Sequence, residues 1–259
     1  MNLQLENKTA LVTGSTKGIG FGIARLLAAE GANVIVNGRS EKSTQAAVQK
    51  IGKRACGIAA DVSTAAGCDE LVRQLPAVDI LVNNAGIFEP KPFTEIPDAD
   101  WERFYQVNVM SGVRLTRGYL PGMLQRNWGR VVFISSESGI QIPEEMIHYG
   151  MTKAAELALV NGIAQLTRGT GVTINGVLPG PTASEGVTDF VSQLSSKSGQ
   201  SAAEFENEFF RSVRPTSLLK RFATVEEVAN GVVYICSPLA SATNGAAVRV
   251  DGGVVRGTF

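Results

Sequence analysis

The stretch Thr13-Gly14-Ser15-Thr16-Lys17-Gly18-Ile19-Gly20 decides the fold. It follows a short β-branched apolar run at 9–13 and opens onto a helical apolar pattern through Ile23, Leu26 and Leu27. Glycines at this spacing let a backbone turn sharply and approach a pyrophosphate closely, while the next helix offers free amides and its positive dipole end. A strand, a glycine turn and a helix in that order predict the first unit of a nucleotide-binding α/β fold.

The same alternation continues outward along almost the whole chain. Apolar runs at 33–37, 55–60, 80–83, 130–135, 172–177 and 247–250 read as six further strands, making seven. Ile80-Leu81-Val82 and Val131-Val132-Phe133-Ile134 are apolar without alternation, as a strand covered by helices on both faces requires. Helical patterns fall between the strands at 18–30, 41–51, 65–75, 100–125, 148–168 and 224–237. These features predict one α/β, doubly wound Rossmann domain over 1–259. Its seven-stranded parallel sheet carries helices on both faces, and ligands are expected at the carboxyl ends of the strands. The segment 181–221 breaks the pattern: it is polar, Ser-rich around Ser192 to Ser201, and helical through Phe205, Phe209 and Phe210. It is predicted to be a lid inserted after strand six, and Leu194 and those phenylalanines either line it or pack it onto the body or a neighbouring subunit.

Composition narrows the function. Hydrophobic residues make up 44% of the chain and the formal net charge is zero, with no basic block to meet a nucleic-acid backbone or an anionic membrane. The expected partner is a small molecule. Three cysteines, Cys56, Cys68 and Cys236, stand at wide, unpatterned spacing, so neither a disulfide framework nor a metal site is expected. No run of 18 apolar residues occurs and the charged N-terminus lacks a leader pattern, which predicts a cytoplasmic protein.

The second strand ends Val36-Asn37-Gly38-Arg39-Ser40. In dinucleotide folds an acid at this point binds the ribose hydroxyls of NAD, whereas an arginine accommodates the additional phosphate of NADP. Arg39 therefore points to NADP(H), since a guanidinium suits a doubly charged phosphate.

Tyr149-Gly150-Met151-Thr152-Lys153 puts a phenol and an ammonium four residues apart, on one face of a helix. A hydride delivered to a carbonyl leaves charge on oxygen, so a proton donor is needed there. Bringing a phenol from its ordinary range to neutrality takes roughly 4 kcal/mol of preference for phenolate, to which a close lysine contributes. Ser136 lies thirteen residues before Tyr149, just past the fifth strand.

In these motifs and their order, from Lys8 to Val250-Asp251-Gly252-Gly253, the chain resembles the short-chain dehydrogenase/reductase family. The resemblance implies an oxidoreductase moving a hydride between nicotinamide and a carbonyl or secondary alcohol. In it Ser136 orients the substrate oxygen, Tyr149 is the acid or base, and Lys153 also holds the nicotinamide ribose. Asn108 resembles the family's helix-kinking asparagine, which holds a water in a relay to Lys153. By the same resemblance the cofactor lies on Gly14, Thr16, Lys17, Gly18, Ile19 and Gly20, with Lys17 a second basic contact. It continues past Asp61-Val62 and the fourth-strand motif of Asn83, Ala85 and Gly86, and reaches Pro179, Gly180 and Thr182 beside the nicotinamide amide. A homotetramer with the 100–125 and 148–168 helices at an interface is also implied. Ser135 and Ser138 are discounted by spacing, and His148, the one histidine, is expected on another helix face.

Three readings stay open. Among close relatives the chain resembles 3-oxoacyl-(acyl carrier protein) reductases, but Thr170 stands where, by that resemblance, carrier-binding members place an arginine, leaving Arg126, Arg130 and Arg168 as nearby cations. The long lid instead suits a different, bulkier small substrate. An NADPH sensor without turnover is the alternative of another class, and an intact Asn, Ser, Tyr and Lys set argues against it.

Overall fold

The computed structural model describes residues 1–185 and 201–257. Seven strands, β1 (Thr9–Val12), β2 (Asn33–Gly38), β3 (Ala55–Ala59), β4 (Ile80–Asn83), β5 (Gly129–Ile134), β6 (Val172–Pro179) and β7 (Ala247–Val250), form one parallel sheet in the order β3-β2-β1-β4-β5-β6-β7. The order reverses between β1 and β4, which opens a crevice at their carboxyl ends.

Every residue of β4, β5 and β6 is buried, as the non-alternating runs require. Successive side chains of a strand point to opposite faces, and they enter two cores. Val82, Val132 and Ile134 pack with Ile23 and Leu27 of α1 (Gly18–Ala29) and with Val228 and Val232 of a later helix, Val225–Cys236. Leu81, Val131 and Phe133 pack with Leu71 of α3 (Ala65–Gln74), Leu115 of α5 (Ser111–Gln125) and Val160 of α6 (Ile147–Ala164). Full burial of one such side chain contributes about 1.5–3 kcal/mol, so the two layers hold the sheet rigid beneath the crevice. Among the described residues the remaining helices are α2 (Glu41–Ile51), α4 (Asp98–Phe104) and α7 (Ala202–Ser212), and Val225–Cys236 is α8. Helices α7 and α8 each begin in a capping box, Ser201 with Glu204 and Thr224 with Glu227.

Several boundaries depart from expectation. The helix expected over 100–125 starts at Asp98 and widens into a π turn over Tyr105–Met110 before continuing as α5. The helix expected over 148–168 ends at Ala164 and tightens into a 3₁₀ turn over Gln165–Thr167. Strand β6 runs two residues beyond its β-branched run because Leu178 and Pro179 pair with Arg249 and Val250 of β7. Within the expected lid, the helical stretch through Phe205, Phe209 and Phe210 is α7, while Leu194 and nearly all of the Ser-rich stretch lie outside the described residues. None of the helices among the described residues is long and apolar enough to cross a membrane.

Candidate active site

Glycine conformations shape the loop between β1 and α1. Gly14 takes φ +59°, and a side chain there would place its Cβ 3.0 Å from Ala85 Cα. A side chain at Gly20 would run into Asn84 Nδ2 and Gly14 O. Three side chains hold the loop in place. Asn84 Nδ2 donates to Thr13 O at 2.9 Å and Gly14 O at 3.1 Å, and Thr13 Oγ1 accepts from the amides of Asn84 and Ala85 at 2.9 Å each. Ser15 Oγ donates to Val12 O at 2.6 Å. Helix α1 starts at Gly18 without a side-chain cap, so its first-turn amides remain available to an anion. Lys17, at the cap position, is exposed; Thr16 rests against Gly38, and Ile19 lines the cleft.

At the end of β2, Arg39 is exposed and has no ion pair or hydrogen bond among the described residues. Asp61 is exposed after β3, its Oδ1 accepting from Ser63 N, while Thr64 caps α3. Two of the expected cofactor residues turn their side chains elsewhere. Val62 is buried in the core, and Asn83 Nδ2 donates to Thr116 Oγ1 at 3.1 Å, so only their backbones can face a ligand.

Beyond the loop opens a cleft of about 540 Å³. Ser136, Tyr149 and Lys153 meet in its wall with Gly86, Pro179, Gly180 and Thr182. Ser136 lies two residues past the end of β5; its Oγ accepts from Ser138 N at 3.1 Å. Ser135 is occupied structurally, its Oγ donating to Lys153 O at 2.9 Å. Gly180 lies against Asp251 O, too close for any side chain, and Thr182 Oγ1 donates to Gly180 O at 2.8 Å. This contact ties the segment after β6 to the Val250-Asp251-Gly252-Gly253 turn.

Tyr149 is half-buried near the start of α6, with Lys153 Nζ 5.7 Å from its ring centre. Burial raises the phenol above its ordinary range, and the Lys153 ammonium and the Ser136 hydroxyl pull it back down. The lysine alone therefore does not bring the phenol to neutrality. Burial would lower the Lys153 ammonium, but Glu156 and Tyr149 together hold it above its usual value. Nζ donates to Ile134 O at 2.8 Å and to Glu156 Oε1 and Oε2 at 3.1 and 3.2 Å.

Asn108 sits in the π turn, 2% exposed. Its Oδ1 accepts from Ile87 N at 2.8 Å, and its Nδ2 donates to Ile87 O at 3.0 Å and Thr152 Oγ1 at 2.9 Å. Among the described residues it makes no direct hydrogen bond to Lys153; the two side chains meet around Gly86, each 3.6 Å from where a Cβ would be. His148 is fully buried against Phe104 and Trp101, on another face of α6 as expected.

Four residues of this region are not marked by the sequence motifs. Glu156 pairs with Lys153, and Arg214, beyond α7, pairs with Glu137 at 2.8 Å and Glu145 at 3.0 Å in the cleft wall. The spacing of Lys153 and Glu156 was a signal, whereas nothing local links Arg214 to Glu137. Phe205 and Phe209 line the cleft, but Phe210 does not; it is buried against Phe209 and Phe222. Arg130 is unavailable to a carrier protein, being 2% exposed and donating to the carbonyls of Gly129, Gly171 and Ser237.

The family model "short chain dehydrogenase" matches residues 8–195. An uncharacterized oxidoreductase of Bacillus subtilis, YvaG, is 47% identical, with all of both chains covered. The 3-oxoacyl-(acyl-carrier-protein) reductase FabG of Aquifex aeolicus is 34% identical, over 98% of this chain and 100% of that one. The crystal structure of L-sorbose reductase from Gluconobacter frateurii, complexed with NADPH and L-sorbose, superposes with a TM-score of 0.93. It is 31% identical and covers 99% of this chain and 100% of its own. On its sequence, its sheet order and these matches, the chain belongs to the short-chain dehydrogenase family.

Proposed function

We propose that the protein is an NADP(H)-dependent oxidoreductase that reduces a small, uncharged carbonyl compound or oxidises the corresponding secondary alcohol. The observation that carries this reading is the convergence of Ser136, Tyr149 and Lys153 in one cleft at the end of the glycine loop. The residues present fit a dinucleotide. The Gly14 and Gly20 positions leave a backbone cradle, the first amides of α1 are uncapped, and Arg39 and Lys17 are exposed beside it. Arg39 without an acid at the end of β2 favours the 2′-phosphate, and the likeness to a reductase solved with NADPH supports that preference.

A reduced nicotinamide, when bound, supplies the hydride. The chain's own residues handle the oxygen. Ser136 Oγ hydrogen-bonds the carbonyl oxygen and orients it, and the Tyr149 hydroxyl gives that oxygen its proton, or takes it back in oxidation. The Lys153 ammonium offsets the phenolate charge and, on exchanging a hydrogen bond to Glu156, would hold the nicotinamide ribose. Asn108 fixes Ile87 and Thr152, the wall beside Lys153. Asp61, the backbones of Val62 and Asn83, Ala85, Gly86, Pro179, Gly180 and Thr182 complete the cofactor's track.

The described cleft wall is largely apolar, with Ile87, Phe88, Met146, Phe205 and Phe209, and both of its cations are paired, Lys153 with Glu156 and Arg214 with Glu137 and Glu145. That favours an uncharged substrate over a carboxylate or a phosphate, and the occupied Arg130 speaks against an acidic carrier. We take 1–259 as one unit with 181–221 as its lid, working as a homotetramer in the cytoplasm, where its three free cysteines would stay reduced. Titrating the protein with NADPH and NADH in parallel, then following NADPH oxidation with ketones, diketones, quinones, sugars and acyl thioesters, tests the reading. NADPH preference with turnover of an uncharged carbonyl supports it, and tight binding with no turnover overturns it in favour of a sensor.

A further inference from the structure

Glu156 lies one turn after Lys153 on α6, in the run Ala154-Ala155-Glu156-Leu157-Ala158-Leu159. Its side chain is 2% exposed and Lys153's is 5%, and both carboxylate oxygens accept from Nζ. Together with Ile134 O these contacts account for the ammonium's hydrogen bonds. The acid–base chemistry assigned to Tyr149, Ser136 and Lys153 does not itself require an acid here. A buried ion pair contributes little to stability compared with well-packed apolar side chains. What it changes is the charge that the phenol feels.

Few other charges reach this helix. Strand β6 brings none, the turn after β5 brings Glu137, which is paired with Arg214, and the π turn brings only the exposed Tyr105. The short turn before α6 carries Glu144 and Glu145, and α4 carries Asp98, Asp100, Glu102 and Arg103, of which Asp100 and Arg103 act on His148. Arg130 of β5 is bound at the opposite end of its strand. Among these, Lys153, Glu156 and Glu137 act on Tyr149, and Glu156 is the anion joined directly to the lysine. Burial pushes its carboxyl up to about 7, with Lys153 working against that rise. It is ionised in the alkaline range where a phenol titrates.

We propose that Glu156 is a positioning residue for the acid–base step: its carboxylate holds the Lys153 ammonium against the Ile134 carbonyl and, once ionised, offsets that charge, setting the pH at which Tyr149 loses its proton. The inference rests on the acid–base reading of Tyr149. Removing a negative charge from the cluster lowers its affinity for protons, so the Tyr149–Lys153 pair gives up its first proton at lower pH.

The test uses full-length, cofactor-free protein labelled with ¹³Cζ-tyrosine, the Tyr149 signal being assigned with Tyr149→Phe. In Glu156→Gln the phenol midpoint is expected to move down by about one pH unit, whereas Glu156→Asp, which keeps the charge, stays near the wild type. Superimposable wild-type and Gln titrations, or a midpoint that rises, overturn the proposal. The wild type offers a check that needs no variant: the Tyr149 signal is expected to show an earlier, smaller inflection as Glu156 ionises, and a single inflection counts against the proposal. The alkaline limb of kcat/KM for carbonyl reduction should shift with the phenol midpoint. If no carbonyl is reduced by the wild type while the titrations behave as stated, the functional reading fails and the coupling of Glu156 to the phenol stands.

Discussion

Arg214 Nε donates to Glu137 Oε1 at 2.8 Å, joining residues 77 positions apart within the cleft wall. The side chains are 8% and 4% exposed, and Arg214 also holds Glu145. The segment after α7 is thereby fastened to the turn that carries Ser136. Burial and the removal of its partner would both press Glu137 toward its protonated form.

Arg214→Ala leaves Glu137 buried without a counter-charge and is expected to cost about 3 kcal/mol of stability, in the range for breaking a buried pair. In turnover, KM for the carbonyl should rise more than kcat falls, since the variant loosens the substrate wall and leaves Tyr149 in place. Urea unfolding with steady-state kinetics checks both, and a variant as stable as the wild type contradicts this account of the pair.

Asn108 makes three hydrogen bonds, one buried to Thr152 and two part-buried to the Ile87 backbone. Asn108→Ala strands those groups, and each buried, unpaired polar group costs about 1–3 kcal/mol. We expect a lower melting temperature and a weakened π turn, visible as faster amide exchange at Ile87. Unchanged exchange there would rule out the side chain as the turn's organiser.

Arg39→Ala is expected to weaken NADPH binding roughly ten- to a hundredfold, the scale of one or two charge-assisted hydrogen bonds. NADH, lacking the 2′-phosphate, should lose less than about twofold by the same reasoning. Parallel fluorescence titrations decide it, and an equal loss for both cofactors would remove Arg39 from the phosphate site.

The raised carboxyl of Glu156 makes stability depend on pH. Its value in the folded chain is about 7 against an ordinary 4.5, so between those limits the folded chain keeps a proton that the unfolded chain has lost. This contribution is fully present below 4.5 and is lost as pH rises to about 7. Across that window the wild type should lose up to about 3 kcal/mol relative to Glu156→Gln, which does not titrate. Urea midpoints at a series of pH values measure the slope, and parallel curves for the two proteins would contradict it.

What the sequence reveals here is what local pattern encodes. The glycine loop is readable because Gly14 and Gly20 meet steric limits set by their own strand–turn–helix unit and by the neighbouring β4 loop, and β4 and β5 are readable because two-faced burial abolishes alternation. The π turn is not readable from local pattern, and only the family resemblance marks a kink at Asn108, because the contact made there is to Ile87, 21 residues earlier. Val62 and Asn83 occur at the expected places, yet their side chains turn into the protein, a direction that spacing does not specify. Arg130 reads as a free surface cation until three carbonyls from separate segments close around it. Glu156 was within reach, since residues three apart share a helix face, but an acid in an apolar run reads as solvated until burial is known.

The role of the Tyr149 hydroxyl is decided by Tyr149→Phe, assayed for NADPH binding and for reduction of whichever carbonyl the wild type accepts. NADPH affinity is expected to stay within about twofold of the wild type, and turnover to fall by at least the roughly 10²–10⁴-fold that a positioned proton donor contributes. Turnover that survives the loss of the hydroxyl would contradict the assignment of Tyr149 as the acid.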